Sequence, residues 1–490
     1  MNGGTAAHER RWLMLPVVLA ALFMAQFDLY VVNVAAPTLR DQLGAGPVAL
    51  ELVVAGYAFT YAGGLITGGR LGDLHGNRVM FLGGTLAFTA ASLLCGLAQT
   101  PGQLVAARLL QGLAGAAMVP QVLALITGVF GPDERPRALA WFGVTVGIGA
   151  VAGQVLGGAL LEAGSTGPGW RLVFLVNVPA GLLTLLLARL VVPGPPKVRS
   201  GTGLDPVGAL GVPAGLALAL VPLMTGGTGG WHAWSWICLA AAVPVLAGTF
   251  AWERRLGRRG GSPLLDLSLF SAASFRRGLV VSGAVFGAFF SFLFALTLVL
   301  QSGLGLSPLG AGLAFAPLGL AFSAASMAAR RVPPGKGTRT VLAGIAVAAT
   351  GLLALLAELL ALPGEPGLAR LLPPMVLIGF GNGLAVPALT GAVLSGVRPG
   401  QAGSAAGVLT TAQQFASAVG VALIGSVFFA VLDGRTGPAA HAEALRWVAG
   451  TGLVLVLVAA AAARSLPRPA APAAPAAPAA APVPQTTGKA

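Results

Sequence analysis

Long apolar runs alternate with short polar gaps along almost the whole chain. About fourteen runs are present, near 13–36, 47–69, 79–99, 103–127, 138–160, 172–192, 207–226, 231–252, 278–301, 308–329, 340–362, 372–395, 404–431 and 445–463. Each is roughly 20 residues or longer, the length an α-helix needs to cross about 30 Å of hydrocarbon. The pattern therefore predicts an all-α integral membrane protein with fourteen transmembrane helices.

Composition agrees with a lipid environment. Hydrophobic residues make up 56% of the chain and charged residues only 9%, with a mean hydropathy of +0.84, whereas soluble domains carry about 25% charge. The runs are too long for barrel strands and lack their two-residue alternation. The 72 glycines are spread through the runs, which favours close helix packing in a bundle.

The net charge of +14 could indicate a nucleic-acid partner, but the basic residues fall mainly in every second gap. If the N-terminus is cytoplasmic, most basic residues lie on the cytoplasmic side. The opposite side then holds Arg40, Arg171, Arg370, Arg435 and Arg446. This is the positive-inside bias. We therefore expect both termini in the cytoplasm and a lipid bilayer rather than nucleic acid as partner. We also expect a functional monomer.

The gaps divide the runs into groups of six, two and six. A linker rich in Pro, Gly and basic residues follows the sixth run, and the basic segment ERRLGRRGG follows the eighth. Duplicated halves with a midplane substrate site are common in transporters. The predicted units are an N-terminal six-helix bundle (1–192), a linker with two inserted helices (193–274), a C-terminal six-helix bundle (275–466) and a disordered Pro/Ala tail (467–490).

One acidic residue, Asp28, stands near the middle of the first run. A charged Asp at the bilayer centre costs on the order of 2.5–3.5 kcal/mol. A carboxyl in such a place can hold a proton and release it when water reaches it, as proton coupling requires. The alternative is a structural carboxylate that a neighbouring helix satisfies.

A basic residue, Arg108, lies a few residues into the fourth run. Because a guanidinium keeps its charge, it needs a polar cavity or a carboxylate. Pairing or proton coupling is one interpretation, and snorkelling to the interface or packing support is the other. Gln111, one turn further on, can share the same helix face.

The segment GGRLGDLHGNRVM fills the short gap between the second and third runs. Its glycines permit a tight turn, and its arginines can bind Asp73 or neighbouring helix ends. A simple positive-inside loop is the default interpretation unless the segment matches a known family motif. With such a match, the segment is a predicted conformational gate that consists of Gly69, Arg70, Asp73, Gly76 and Arg78.

The fifth run contains glycines at every fourth position, Gly149, Gly153 and Gly157. They share one helix face, which permits close approach of another helix and a hinge. We assign this face to the conformational gate as well, with generic packing as the alternative.

Enzymatic and metal chemistry have little support. The four histidines lie in or beside loops without clustered ligands, so we expect no metal. The segment PPGKGT (333–338) resembles a phosphate loop only faintly, because Arg330 stands at the upstream glycine position. Cys95 and Cys238 lie in apolar runs and are predicted to remain unpaired. We expect no enzyme and no cofactor.

Four motifs resemble those of the major facilitator superfamily, specifically its fourteen-helix drug:proton antiporter branch. They are FDLYVVNVAAP in helix 1, GRLGDLHGNR after helix 2, RLLQGLAGA in helix 4 and the glycine stretch of helix 5, where Gln154 replaces a usual proline. The matching positions are Asp28, Asn33, Pro37, Gly69, Asp73, Gly76, Arg78, Arg108, Gln111 and Gly112. The likeness covers roughly residues 10–465.

The resemblance implies alternating access, in which two six-helix halves rock around a central cavity. Protons would bias one state through Asp28 and Arg108, and substrate the other. Each predicted cavity residue is polar, and for each an interhelical hydrogen bond is the alternative. They are Gln26, Tyr30, Asn33, Gln111, Gln301, Asn382, Gln413 and Gln414.

Proton-driven efflux of drugs or amphiphilic metabolites is the leading hypothesis. Few acids lie in the runs, and Glu358 is the one in the C-terminal half, which favours neutral, zwitterionic or monocationic substrates. The alternatives are an uptake symporter of the same fold, a non-transporting membrane sensor and a membrane enzyme. High Ala, Gly and Arg with low Lys is typical of a GC-rich bacterium, which would place the protein in the inner membrane.

Overall fold

A computed structural model describes residues 3–131, 133–164, 169–194, 205–229, 232–259, 261, 263–264, 267–329, 337–361, 367–394, 397 and 402–466. The described residues form helices and turns, with no strand among them. The helices are α1 (Gly3–Leu43), α2 (Pro47–His75), α3 (Asn77–Leu97), α4 (Pro101–Val129), α5 (Arg135–Ala163), α6 (Trp170–Leu175), α7 (Asn177–Val191), α8 (Pro206–Gly229), α9 (Ala233–Arg258), α10 (Ala273–Leu298), α11 (Pro308–Ala329), α12 (Gly337–Ala361), α13 (Leu368–Leu394), α14 (Ala402–Leu432) and α15 (Pro438–Arg464).

The predicted fold class is confirmed. Thirteen spans among the described residues are long and apolar enough to cross a membrane, with α6 and α7 together forming one of them. The remaining apolar run, 207–226, lies within α8, a helix of 24 residues. The predicted tail and much of the linkers before α8 and α12 lie outside the described residues, so the domain bounds stay a prediction.

Proline and glycine set many of the helix limits. Pro47, Pro101 and Pro438 stand in the first turn of α2, α4 and α15, where a missing N–H costs nothing. Thr100 caps α4 by accepting a hydrogen bond from the Gln103 N–H at 3.3 Å. Gly76, with φ of +93°, joins α2 directly to α3, a conformation that favours glycine.

One predicted helix is divided. The run 172–192 was predicted as a single helix, but α6 ends at Leu175 and α7 begins at Asn177. Pro179 explains the division, because its nitrogen cannot donate a hydrogen bond to the Leu175 carbonyl four residues earlier. The break presents Asn177 inside the N-terminal bundle, where its side chain is buried.

The helices pack as two bundles that meet along two seams. In the first bundle α1 packs on α5 and α7, and α4 on α2 and α3; in the second, α13 packs on α11 and α12, and α10 on α14 and α15. The seams between the bundles are α2 with α14 and α5 with α11. The inserted pair α8 and α9 packs together, and α8 also contacts α2 and α14.

Both ends of the described chain lie on one side of the molecule. Near the N-terminus, the ring of Trp12 packs edge-to-face against Phe130 at the end of α4, with 5.1 Å between ring centroids. At the other terminus, the Ser465 carbonyl accepts a hydrogen bond from Arg277, near the start of α10. We call this side, which also carries the α2–α3 turn at Gly76, the mouth end, and the opposite side the far end.

Candidate functional site

A central cavity of about 970 Å³ lies between the two bundles. On α2 its lining runs from Tyr61 to Asp73, and on α14 from Ala406 to Gln414. These segments are the mouth-end halves of both helices, so the cavity reaches the mouth end. The far-end halves of α2 and α14 do not line it.

The cavity wall is aromatic and uncharged through most of its depth. Its aromatic side chains include Tyr30, Tyr61, Phe286, Phe289, Phe290 and Phe322, and its carboxamides are Gln26, Gln121, Gln154, Asn382, Gln413 and Gln414. Arg70 and Asp73 supply charge only near the mouth. Such a wall can stack on flat apolar molecules and donate or accept hydrogen bonds without a formal charge.

Asp28 lies outside the cavity, buried inside the N-terminal bundle with no exposed surface. Its Oδ1 accepts hydrogen bonds from the Gln111 amide at 2.9 Å and the Asn177 amide at 3.2 Å. Its Oδ2 accepts from, and forms an ion pair with, the guanidinium of Arg108. All three partners donate, an arrangement that suits an ionised carboxylate. In this conformation, side chains of the neighbouring helices thus provide the hydrogen bonds and the counter-charge that the Asp28 carboxylate requires.

The guanidinium of Arg108 is held on several sides. Its Nε donates to the Val53 carbonyl at 3.0 Å, and a terminal nitrogen donates to Gln111 Oε1 at 2.7 Å. The ring of Tyr57 covers the guanidinium, with 4.2 Å from Cζ to the ring centroid. Arg108 is fully buried, so it does not reach an interface and the pairing interpretation fits this structure.

The ion pair stands directly behind the cavity wall. On α1, Gln26, Leu29 and Tyr30 line the cavity, while Asp28 faces α4 and α7. A change in the charge of Asp28 would therefore act on the helix that forms part of the cavity wall. This placement connects a titratable group with the cavity through one helix.

The predicted cavity residues divide into two sets. Those that line the cavity are Gln26, Tyr30, Asn382, Gln413 and Gln414. Gln111 instead belongs to the Asp28 network, where its amide also donates to Ser92 at 2.8 Å. Asn33 is buried and not part of the lining, and Gln301 donates to the Val34 carbonyl at 2.8 Å. These three residues do not line the cavity in this conformation.

The predicted gate residues at the α2–α3 turn occupy three different environments. Gly69, Arg70 and Asp73 line the mouth of the cavity. Arg78 donates to the Arg189 carbonyl near the end of α7 at 2.8 Å, which favours the helix-end interpretation of this arginine. Gly76 forms the turn itself.

The glycine face of α5 packs against α1. A Cβ added at Gly149 would lie 2.7 Å from the Cβ of Gln26, and one at Gly153 would lie 2.8 Å from both the Phe27 carbonyl oxygen and the Tyr30 Cβ. Gly157 faces Val31 in the same way. The absence of side chains at these positions lets the two helices approach closely.

We expect Gly153→Ala to lower the stability of the protein by about 1–3 kcal/mol, because the added methyl forces α1 and α5 apart. The measurement is thermal unfolding of the purified protein in detergent. Gly83→Ala is the matched control, since an added Cβ at Gly83 has nothing within 4 Å. Equal unfolding midpoints for the two variants would contradict the close approach.

Several residues of this region are not predicted from the sequence. Gln121 and Gln154 line the cavity, but in the sequence Gln154 stands out only as a departure from a proline position. Asn177 was not assigned to Asp28, yet it follows a break that Pro179 signals. Glu51 in α2 was also missed, and it is fully buried.

Comparison with known proteins identifies relatives over nearly the whole chain. The sequence model of the Major Facilitator Superfamily matches residues 18–421. The chain is 39% identical over 438 residues to a probable actinorhodin transporter of Streptomyces coelicolor, covering 88% of this chain and 75% of that one. It is 38% identical over 444 residues to the puromycin resistance protein pur8 of Streptomyces alboniger, covering 89% and 86%.

Solved structures agree in fold. A bacterial homolog of the human lysosomal transporter Spinster, in an inward-facing and unoccupied conformation, matches with a TM-score of 0.66. The two sequences are 18% identical, and the match covers 93% of this chain and 98% of that one. At this identity the likeness concerns the fold alone.

Proposed function

The chain belongs to the Major Facilitator Superfamily, and from that premise we propose that it is a proton-driven exporter of uncharged or singly charged amphiphilic molecules. The observation that carries the proposal is the buried Asp28–Arg108 pair directly behind a cavity that lies between two bundles. Relatives named for drug or antibiotic export and resistance, including the cephamycin export protein CmcT of Amycolatopsis lactamdurans at 37% identity over 86% of each chain, support export.

The proposed cycle follows from the charges of the pair. In the present conformation the carboxylate of Asp28 and the guanidinium of Arg108 neutralise each other. A proton on Asp28 would leave the Arg108 charge buried without a counter-charge, which is costly. Protonation therefore favours a different arrangement of α1 and α4, and the bound proton biases the equilibrium between the two states of the cavity.

Orientation follows from the distribution of basic residues. The mouth end carries both described chain ends and Arg70, Arg78 and Arg277, and basic loops face the cytoplasm. We assign the mouth to the cytoplasm, so that this structure is inward-open, with both termini on the cytoplasmic side of the bacterial inner membrane. We further propose that the protein acts as a monomer. Its partners are lipid, protons and substrate.

The cavity wall supports the proposed substrate class. Six carboxamides and at least six aromatic rings face the cavity, and charged residues line it only at the mouth. Each positive charge on the substrate would find no counter-charge deep in the cavity, so a dication loses about twice as much free energy on entry as a monocation. A charge in that position costs on the order of 2.5–3.5 kcal/mol, which is about a hundredfold in affinity.

The test is transport into inside-out vesicles with an acidic lumen. We expect the proton gradient to drive the neutral dye Nile red and the monocation ethidium into the lumen, and the dication propidium about a hundredfold less well. Protein-free vesicles under the same gradient are the control. Accumulation only when the gradient is reversed would replace export by uptake symport, and equal transport of propidium would overturn the substrate class.

A further inference from the structure

A second carboxyl, Glu51, lies one turn inside the far end of α2. It is fully buried, and neither of its oxygens has a hydrogen-bond partner among the described residues. Its Oε1 is 3.3 Å from the position that a Cβ on Gly425 of α14 would occupy, next to the ring of Phe294 of α10. The carboxyl is thus enclosed where the N-terminal bundle meets the C-terminal bundle.

The α2–α14 seam is antiparallel and open at one end only. Near its middle, the Thr411 hydroxyl donates to the Ala62 carbonyl at 3.0 Å. Towards the mouth end, both Ile66 and Gly407 line the cavity. Glu51 and Gly425 form the closed, far end of the same seam. Alternating access requires this end to separate when the mouth closes, which would bring water to Glu51.

No neighbouring helix in the described part of the seam offers Glu51 a counter-charge. Within their spans α8 and α14 carry no charged residue at all. The charges of α10 are Arg276 and Arg277, close to its start at the mouth end. The far-end side of the seam is therefore apolar around this carboxyl.

The charged and titratable groups of the other neighbours are engaged elsewhere. On α4, Arg108 pairs with Asp28 of α1. On α3, Arg78 bonds to a carbonyl at the mouth end, and Cys95 contacts the Gln111 amide oxygen at 3.5 Å. Tyr57, on α2 itself, donates to the Ala25 carbonyl. The remaining charges of α1 near the far end, Arg40 and Asp41, are exposed.

We propose that Glu51 is a second proton-binding site, which takes a proton from the far side of the membrane and must hold it for α2 and α14 to close there. An ionised carboxylate buried without a partner in this seam is strongly disfavoured, whereas a neutral carboxyl is disfavoured far less. Closure and protonation are therefore coupled. The inference rests on the alternating access proposed above.

The proposed Glu51 site differs from Asp28 in the path of its proton. Glu51 is sealed from the cavity in the inward-open state, so its proton returns to the far side when the seam opens. The proton is not carried across the membrane. Binding of this proton makes closure of the far end depend on the pH of the far side. A low pH on that side promotes closure.

The experiment measures the far-end distance directly. Nitroxide labels are attached after Gln42→Cys and Thr436→Cys, two exposed positions in different bundles at the far end. Cys238→Ser removes the half-buried native thiol, and the buried Cys95 is retained. The distance distribution is recorded by electron paramagnetic resonance in lipid nanodiscs at pH values from about 5 upward, where a hydrated glutamate is ionised.

All proteins in this experiment also carry Asp28→Asn, so that the first proton site cannot contribute. The closed state binds one proton more than the open state, so we expect the closed-to-open ratio to fall by up to tenfold per pH unit, roughly, as pH rises. Glu51→Gln and Glu51→Leu should show a closed-to-open ratio that does not change with pH. Either variant alone suffices if the other does not fold.

Glu358→Gln is the matched control, since Glu358 is an acid within a membrane helix but only half-buried. It should keep the pH response of its parent. A parent with no pH response, or Glu51 variants that retain it, would overturn the proposal. Export by the protein with Asp28 intact is measured separately, so loss of driven export with an intact pH response would remove the proposed function and leave the proton site standing.

Discussion

Vesicles that contain the Asp28→Asn variant are expected to show no accumulation of ethidium above protein-free vesicles when their lumen is acidic. The asparagine side chain keeps the size of the carboxyl but cannot bind or release a proton. A transporter that has lost this exchange can no longer use the gradient, although it can still move substrate down its own concentration difference. Exchange of labelled for unlabelled ethidium without a pH gradient should therefore persist.

The geometry explains why this loss should be complete. Asp28 is the single counter-charge within hydrogen-bonding distance of Arg108 in the described structure. With asparagine in its place, the Arg108 charge is uncompensated at every pH, as it would be in the permanently protonated wild type. Protons then no longer bias the equilibrium between the two states through this pair, because no protonation step remains there.

Asp41→Asn provides a control on the same helix. Asp41 is exposed near the far end of α1, and the same chemical change there should leave driven accumulation at the wild-type level. Accumulation by Asp28→Asn equal to that of Asp41→Asn would remove Asp28 from the coupling mechanism. Loss of exchange as well as of driven transport would instead assign Asp28 a structural role.

The apolar runs predicted the helices well because length and hydropathy decide whether a segment spans a bilayer. The apolar runs could not place the helix ends, because the helices extend beyond them into polar segments. For example, α1 begins at Gly3 and α15 begins at Pro438. The break between α6 and α7 was visible in principle. Pro179 lies four residues after Leu175, but a hydropathy count does not register a missing hydrogen bond.

Which face of each helix points at the cavity was harder to predict. Helices surrounded by lipid and by other helices are apolar all round, so a polar residue in the middle of a run can face a cavity or a neighbouring helix. Gln26 and Gln111 are both mid-helix glutamines, yet one lines the cavity and the other bonds to Asp28. Only the packing of α1 against α4 and α5 separates the two cases.

Glu51 was overlooked for a related reason. It stands close to the start of its run, where an acid is normally taken to reach the interface. The structure shows that proximity to a helix end does not ensure exposure, because α14 and α10 cover this end of α2. Contacts between the two halves of the chain, far apart in sequence, decide the burial.

The second large effect is expected on stability. Arg108→Ala should destabilise the folded protein by roughly 3–5 kcal/mol, because it leaves a buried carboxylate without its counter-charge. It also removes the hydrogen bond to Val53 and the contact with the Tyr57 ring. The loss should be larger at pH 8 than at pH 6, since a proton on Asp28 relieves the uncompensated charge.

Thermal unfolding in detergent at both pH values measures this effect, and Arg11→Ala is the matched control. Arg11 also pairs with an acid, Glu134, but at 3.7 Å and with 40% of its side chain exposed, so its removal should cost at most about 1 kcal/mol. Adding Asp28→Asn to Arg108→Ala should restore part of the stability and abolish the extra destabilisation at pH 8, because no charge then remains at this buried position. A double variant as unstable and as pH-sensitive as Arg108→Ala would show that the cost arises from lost packing around α4 rather than from the unpaired carboxylate.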